Sequence, residues 1–307
     1  MFLFALLSIV IPLGLDLYMP VPDSNPLTTE KIELGRRLFF DPRLSRDGSI
    51  ACATCHDPAR AFSDGKPIAV GVDGRTGRRN TPALINRGYG RVFFWDGRET
   101  TLESQVLKPI EDPNEMDFTL DAAASSVGLG RDELANALAT FVRSILSGNS
   151  RLDRFIHGDR NALGDEEQRG LQVFRGKGNC ATCHVGPTLT DERFHNTGVA
   201  WRPEQAATAE PRGVFRDDGR FAVTGNDAER GAFKTPTLLD VALTAPYMHD
   251  GSLATLDEVV NFYDEGGRAN PNLDVDVRPL RLTQEERRAL LAFLRALTGD
   301  RRPSGPP

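Results

Sequence analysis

The clearest chemical signature is a pair of identical five-residue stretches, Cys52-Ala53-Thr54-Cys55-His56 and Cys180-Ala181-Thr182-Cys183-His184. Cys-x-x-Cys-His is the attachment pattern of a c-type haem. Two thiols at this spacing reach the two vinyl groups of one porphyrin edge, and the adjacent imidazole becomes the proximal iron ligand. All four cysteines of the chain lie in these stretches. They therefore predict two covalently bound haem c groups, rather than a zinc site or a thioredoxin-like redox pair.

The histidine inventory favours an open iron at the first haem. A haem can act on a small molecule only if one axial position is free of protein ligands. After His56 the first half offers no further histidine until His157, which stands in an Arg/Asp-rich stretch and is predicted to lie at the surface. Met116 is the only nearby thioether.

The stretch from Trp95 to Glu115 could supply chemistry at that iron. Peroxide cleavage needs a base that takes a proton from the bound oxygen and returns it to the leaving one. A carboxylate held over an apolar haem face has its pKa raised towards that task. Glu115, with Gln105 as hydrogen-bond partner, suits the role. The alternatives are a solvated loop charge for Glu115 and a core aromatic for Trp95.

The elements that position these residues repeat once along the chain. Gly35-x-x-x-Phe39 and Gly170-x-x-x-Phe174 each precede a haem motif, on helices predicted from about Thr28 to Phe40 and from Gly164. Asp165 and Gln168 have capping-box spacing, as do Thr283 and Glu286. Each half is predicted to close with an amphipathic helix, Glu133 to Gly148 in the first and Thr283 to Leu297 in the second.

This pattern predicts a mainly α protein of two cytochrome c-like domains, residues 21–162 and 163–307. Each would carry one covalently bound haem c, and its long loop-rich middle shows no evident strands. A chain of 307 residues fits two domains of ordinary size. The formal net charge of −6 and the absence of a basic stripe argue against nucleic acid and are compatible with a basic redox partner.

The first 15 residues are apolar and uncharged. They are similar to the core of a secretory signal, although a basic start and a clean cleavage site are missing. We therefore predict that residues 1–20 are a signal peptide or an N-terminal anchor. Covalent haem attachment also belongs outside the cytoplasm, so a periplasmic protein, soluble or tethered, is expected.

From about Asn25 to Gly299 the chain resembles the bacterial di-haem cytochrome c peroxidases and the related MauG enzymes. The resemblance rests on the two haem motifs, on Trp95-Asp96-Gly97-Arg98, and on Gln105, Pro109 and Glu115. Further matching phrases are Asp41-Pro42-Arg43-Leu44-Ser45, Phe62-Ser63-Asp64-Gly65, Arg79-Asn80-Thr81-Pro82, Pro236-Thr237-Leu238 and Ala245-Pro246-Tyr247-Met248-His249-Asp250-Gly251.

The resemblance implies roles for individual residues. His56 would be the proximal ligand of the peroxidatic haem, with Glu115 as acid/base of its distal pocket, and Trp95 would help electrons cross between the haems. Gln105 and Pro109 would complete that pocket. Asn80, Thr244 and Pro246 match the family's calcium site, whose oxygen ligands suit Ca²⁺.

Many such peroxidases close the first haem with a histidine in the loop before Arg-Asn-x-Pro. Here that loop, Gly71 to Arg75, contains no histidine, and Val72 stands about where the ligand would be. An open first haem without reductive activation is therefore expected.

At the second haem, His184 would be the proximal ligand. Ligand chemistry alone leaves Met248, His249, Tyr263 and His195 open for the other axial position. The family position is Tyr263, where MauG-type enzymes carry Tyr and ordinary peroxidases Met. His249 is then expected to hydrogen-bond near the site, and His195 to lie at the surface.

Three functions follow. The first is reduction of hydrogen peroxide to water with electrons from a small cytochrome c or cupredoxin. The second is MauG-like oxidation of residues of a partner protein, and the third is non-catalytic electron transfer. The oligomeric state is left open, a homodimer included.

Overall fold

The computed structural model describes residues 9–204 and 213–302, and this part of the chain is mainly helical, as predicted. The helices are α1 (Thr29–Phe39), α2 (Cys52–Cys55), α3 (Leu102–Gln105), α4 (Lys108–Glu111), α5 (Leu120–Ser126), α6 (Arg131–Ser144), α7 (Arg151–Ile156), α8 (Asp165–Arg175), α9 (Phe221–Thr224), α10 (Leu256–Asp264) and α11 (Gln284–Arg295). The short strands are β1 (Leu146–Gly148), β2 (Phe194–His195), β3 (Trp201–Pro203), β4 (Gly213–Phe215), β5 (Phe233–Lys234) and β6 (Asp300–Arg302), in the antiparallel pairs β1–β6, β2–β5 and β3–β4.

Each half is built on one close helix crossing, α1 on α6 and α8 on α11. The repeated glycines explain the closeness. A Cβ at Gly35 would lie 2.0 Å from the Ala137 carbonyl oxygen, and a Cβ at Gly170 would lie 2.0 Å from that of Ala289. The phenylalanine four residues on then packs against the facing helix in both halves. The ring-centroid distances are 5.0 Å for Phe39–Phe141 and 5.2 Å for Phe174–Phe293.

These crossings lie in two apolar cores. Leu152 of α7 already packs in the second core, while Leu239 of the second half packs in the first. The division at residues 162 and 163 stays a prediction.

One predicted helix is shifted along the chain, and one predicted capping box is formed by other residues. The helix expected over Glu133–Gly148 begins at Arg131 and ends at Ser144, because the following residues form β1 and pair with β6. The capping box expected at Asp165 and Gln168 was wrong: the Gly164 N–H donates to Glu167 Oε2 at 2.8 Å instead. The box at Thr283 and Glu286 is confirmed, with N–H to side-chain oxygen distances of 2.7 and 3.2 Å.

The loop-rich middles face each other in a reciprocal way. The Asn80 N–H donates to the His249 carbonyl at 2.7 Å, and the Lys234 N–H donates to the Trp95 carbonyl at 2.8 Å. Lys234 is as far from Asn80 along the chain as His249 is from Trp95. Each half therefore offers the same two positions to the other, as in a two-fold, isologous contact.

Partly buried ion pairs add to this contact between the halves. Arg79 donates to both carboxylate oxygens of Asp217 in the other half at 2.7 and 2.8 Å, and to Asp96 of its own half at 2.6 Å. Arg87 donates to Glu192 of the other half at 2.7 Å. Removing one partner would leave a partly buried charge unpaired, so these contacts favour one fixed arrangement of the halves.

The predicted signal or anchor lies partly outside the described residues, since residues 1–8 are not among them. From residue 9 the segment follows the surface of the first half, with Leu15 and Met19 buried in its core. The Asn149 N–H donates to the Leu13 carbonyl at 2.7 Å. Within the described ranges, no helix combines the length and apolar character needed to cross a membrane.

Candidate functional site

The first haem motif forms the short helix α2, with His56 directly after it. The His56 Nδ1 lies 2.9 Å from the Phe62 carbonyl oxygen, which can only accept, so Nδ1 carries the proton. The Nε2 lone pair is then free for a metal, and the backbone contact fixes the ring. Burial lowers the pKa of His56, which keeps the imidazole neutral and able to ligate.

The second motif repeats this arrangement on a single tight turn, Cys180–Thr182. The His184 Nδ1 lies 3.0 Å from the Leu189 carbonyl oxygen, and burial lowers the pKa of His184 to about 4. Both imidazoles therefore present Nε2 as a neutral ligand.

The cysteines behave as attachment points rather than reactive thiols. All four are free in the structure. Burial raises the pKa of Cys52 and Cys180 to about 12 and that of Cys55 to about 11. A thiol that stays protonated is a poor nucleophile, which disfavours the redox-pair alternative.

One cavity of about 1360 Å³ is lined by residues of both motifs. It exceeds the roughly 300–1,000 Å³ typical of a single small-molecule site. Apolar side chains form much of its wall, among them Leu84, Phe93, Phe174 and Leu290. The thiols, the two free imidazole nitrogens and the apolar walls together fit two macrocycles.

A smaller space of about 60 Å³ brings the first motif together with the predicted distal residues. Cys52 and His56 line it along with Gln105, Pro109 and Glu115. Gln105 ends α3, and Pro109 lies in the first turn of α4. Three residues predicted to form one pocket therefore meet beside the first attachment site.

Glu115 has the electrostatic environment expected of a proton-transfer group. Burial, followed by the nearby Asp112 carboxylate, raises the pKa of Glu115 to about 7, against a smaller lowering by Arg98. Glu115 is partly buried and is therefore not a fully solvated loop charge. Its expected partner is not found, because no side-chain hydrogen bond joins Gln105 to Glu115 in the described ranges.

The histidine-free loop packs directly against the Glu115 segment. Val72 is fully buried, and its N–H donates to the Glu115 carbonyl at 2.8 Å. Arg75 donates to the Pro113 carbonyl at 2.6 Å and pairs with Asp117 at 3.0 Å. The loop therefore holds the backbone that carries the proposed base.

Tyr263 lies near the end of α10 and lines the large cavity with His184. Burial and the nearby Cys180 and Cys183 raise its pKa. No hydrogen bond to its phenol is found within the residues described. The next residue is anchored firmly, because Asp264 accepts the Leu282 N–H at 2.7 Å and pairs with Arg287.

The other candidates for that axial position differ in their surroundings. Met248 lines the cavity and has a positive φ of 72°. His249 is buried and its ring stacks on Phe233, with 3.6 Å between centroids. In the described part of the chain its ring nitrogens make no hydrogen bond to protein, and the expected hydrogen-bonding role of the side chain stays a prediction.

The expectation that His195 lies at the surface was also wrong. Its side chain is 19% exposed, with Nδ1 2.6 Å from Asp274 and Nε2 3.0 Å from Asp191. Cys183 and the two carboxylates raise the pKa of His195. The side chains of Cys183, Asp191 and His195 also lie close enough together to hold a metal ion, but Cys183 belongs to the haem motif. His157 is exposed, as expected.

Trp95 lies where the halves meet. Its indole N–H donates to the Asn80 carbonyl at 2.8 Å, and its own carbonyl accepts the Lys234 N–H. Asn80 donates its amide to the Lys66 carbonyl at 2.8 Å, which leaves its side-chain oxygen as the free ligand atom. Thr244 and Pro246 line the same cavity as Asn80. The calcium site at these three residues stays a prediction.

Comparisons with known proteins bear on the chain as a whole. The sequence profile described as di-haem cytochrome c peroxidase matches residues 29–161. The methylamine utilization protein MauG of Methylorubrum extorquens is 40% identical over 300 residues, covering 92% of this chain and 82% of that protein. The cytochrome c551 peroxidase of Nitrosomonas europaea is 34% identical over 298 residues, covering 92% and 84%.

Among solved structures, a MauG-like protein associated with microbial copper homeostasis superposes with a TM-score of 0.80 at 35% identity, covering 94% of this chain and 93% of that one. The di-haem peroxidase BthA of Burkholderia thailandensis superposes with a TM-score of 0.74 at 26% identity, covering 92% and 91%.

Proposed function

Because the chain belongs to the family of di-haem cytochrome c peroxidases and MauG enzymes, and is thus a peroxide-using oxidoreductase, we propose that it reduces hydrogen peroxide to water. The electrons would come from a small periplasmic redox protein, a cytochrome c or a cupredoxin. The proposal rests on the environment of Glu115, whose pKa is raised to about 7 in a pocket shared with Cys52 and His56.

A haem held by His56 would supply the iron at which the peroxide O–O bond breaks. The reaction consumes two electrons and two protons per peroxide and yields two waters. The Glu115 carboxylate takes a proton from the incoming peroxide and returns it to the departing oxygen. Gln105 and Pro109 restrict the pocket around it, and the buried Val72 keeps the adjacent loop from supplying an iron ligand.

We further propose that each half is one cytochrome c-like domain, divided at residues 162 and 163. A haem held by His184 and Tyr263 in the second domain would receive electrons, and Trp95 would pass them to the first. The same proposal includes a calcium ion bound by Asn80, Thr244 and Pro246. It also includes a periplasmic location and a homodimer. The position of Trp95 between the halves supports its role.

A second function is favoured by Tyr263. In the MauG-like alternative the two haems hold two oxidising equivalents and oxidise residues of a partner protein. A phenolate ligand favours high-valent iron over electron acceptance. The Tyr263 phenol reaches the cavity free of protein hydrogen bonds in the described residues. Purely non-catalytic electron transfer does not fit a family of peroxide-using enzymes.

One experiment tests the proposal and separates the two functions. Peroxide is mixed with the diferric holoprotein in a stopped-flow spectrometer, and reduced cytochrome c is then added. Rapid cytochrome oxidation supports the peroxidase, whereas a long-lived oxidised species that ignores cytochrome supports the MauG-like function. Glu115→Gln is expected to slow the reaction with peroxide by about 10²–10⁴-fold. Glu111→Gln is the matched control, because Glu111 is exposed.

A further inference from the structure

Lys234 is a buried cation on the wall of the cavity that both haem motifs line. It lies on β5 and is only 9% exposed. Its ammonium donates to the Thr235 carbonyl at 3.1 Å and lies 3.5 Å from Glu192. An ammonium has three N–H donors, so at least one is left for a group inside the cavity.

Lys234 shares its nearest carboxylate with other donors. Glu192 is already bound by Arg87 at 2.7 Å and by the Arg91 N–H at 2.5 Å. Asp191 also acts on Lys234 electrostatically, but it is hydrogen-bonded to His195. The Lys234 ammonium therefore has no carboxylate of its own, and a buried cation in that position favours an anion in the cavity. Burial, followed by Arg87, lowers the pKa of Lys234 to about 7, which is what a cation lacking its anion would show.

The reciprocal contact between the halves makes Lys234 the counterpart of Asn80, a residue of the predicted cation site. In that contact Lys234 occupies the position that Asn80 occupies in the other half, since each donates its N–H across to the partner half. Asn80 is predicted to hold calcium. Asn80 is thus predicted to bind a cation in one half, and the equivalent position in the other half carries the Lys234 ammonium.

We propose that Lys234 binds a propionate carboxylate of a haem in this cavity through a charge-assisted hydrogen bond. A haem carries two propionates, and these are the anions that the proposed cofactors bring into the cavity. The proposal rests on the two haems of the proposed function. It does not depend on whether the substrate is peroxide alone or a partner protein.

The test measures the reduction potential of each haem and the propionate bending band in resonance Raman spectra of the holoprotein. Lys234→Met is expected to lower the reduction equilibrium constant of one haem by about tenfold, because a nearby positive charge is removed, and to shift that haem's propionate band. Lys234→Arg keeps the charge and is expected to keep the potential. Lys177→Met is the matched control, since Lys177 is exposed and paired with Glu286 at 2.6 Å.

Unchanged potentials and an unchanged propionate band in Lys234→Met would overturn the proposal. If that variant does not take up both haems, Glu192→Gln decides, because it adds net positive charge and is expected to raise the same potential. A potential that stays constant in Glu192→Gln would also refute it. Inorganic phosphate is expected to leave the wild-type potentials unchanged, and a dependence on phosphate would assign the site to a free anion instead. None of these readings requires peroxidase activity, so a failure of the proposed reaction is seen separately.

Discussion

The raised pKa of Glu115 can be tested through both stability and rate. In the folded protein this pKa is about 7, against 4.5 for an unburied glutamate. At 1.36 kcal/mol per pKa unit, ionising Glu115 inside the fold costs about 3 kcal/mol. Between these two pH values the folded state keeps a proton that the unfolded state has lost. Stability from this group therefore falls as pH rises from about 4.5 to about 7, and is constant above.

Glu115→Gln removes that dependence. The variant should match wild type near pH 4 and exceed its unfolding free energy by up to about 3 kcal/mol above pH 7. The measurement is guanidinium unfolding of the holoprotein at a series of pH values. A difference between variant and wild type that does not change with pH would refute the burial argument.

The same ionisation should control the rate. The base must be deprotonated before peroxide arrives, so the rate constant of the diferric protein with peroxide should rise with pH, with a midpoint near 7. Asp112→Asn removes a charge that raises the pKa of Glu115, and Arg98→Gln removes one that lowers it. The midpoint should therefore move to lower pH in the first variant and to higher pH in the second. If the midpoint of the pH–rate profile is unchanged in both variants, a group other than Glu115 controls the rate.

Three further outcomes are expected. Tyr263→Met should raise the potential of the second haem and change its ferric absorption spectrum, because thioether replaces phenolate; an unaltered spectrum would exclude Tyr263 as ligand. Gly35→Ala and Gly170→Ala should each cost about 1–3 kcal/mol in chemical unfolding, since the added methyl meets a carbonyl oxygen of the facing helix; equal stability would show that the crossing can widen. Asn80→Ala should weaken calcium binding about tenfold or more, measured as bound metal after dialysis; full calcium retention would place the ion elsewhere.

Local patterns predicted much of this molecule. The haem motifs, the Gly-x-x-x-Phe helices and the capping box at Thr283 depend on residues close together in the chain, so their structure follows from spacing. The grouping of Gln105, Pro109 and Glu115 came from the family resemblance, and the structure brings the three together.

The failures concern residues whose partners are distant in sequence. The helix expected to reach Gly148 ends at Ser144 because β6, at the other end of the chain, takes the next residues. His195 was assigned to the surface because Asp274, 79 positions away, gives no local signal. Lys234 was missed because its partner Glu192 is also distant in sequence. Its equivalence to Asn80 would follow from aligning the two halves.

The pairing of β1 with β6 joins the two halves at a further place. The strand that follows α6 is hydrogen-bonded to the strand that follows α11, with Ser147 opposite Arg301. Separating the halves would break this pair together with the Arg79 and Arg87 ion pairs between them. In the proposed function, electron exchange between the two attachment sites should therefore require no movement of one half relative to the other. Its rate should follow the fixed distance between them and should not depend on the viscosity of the solvent.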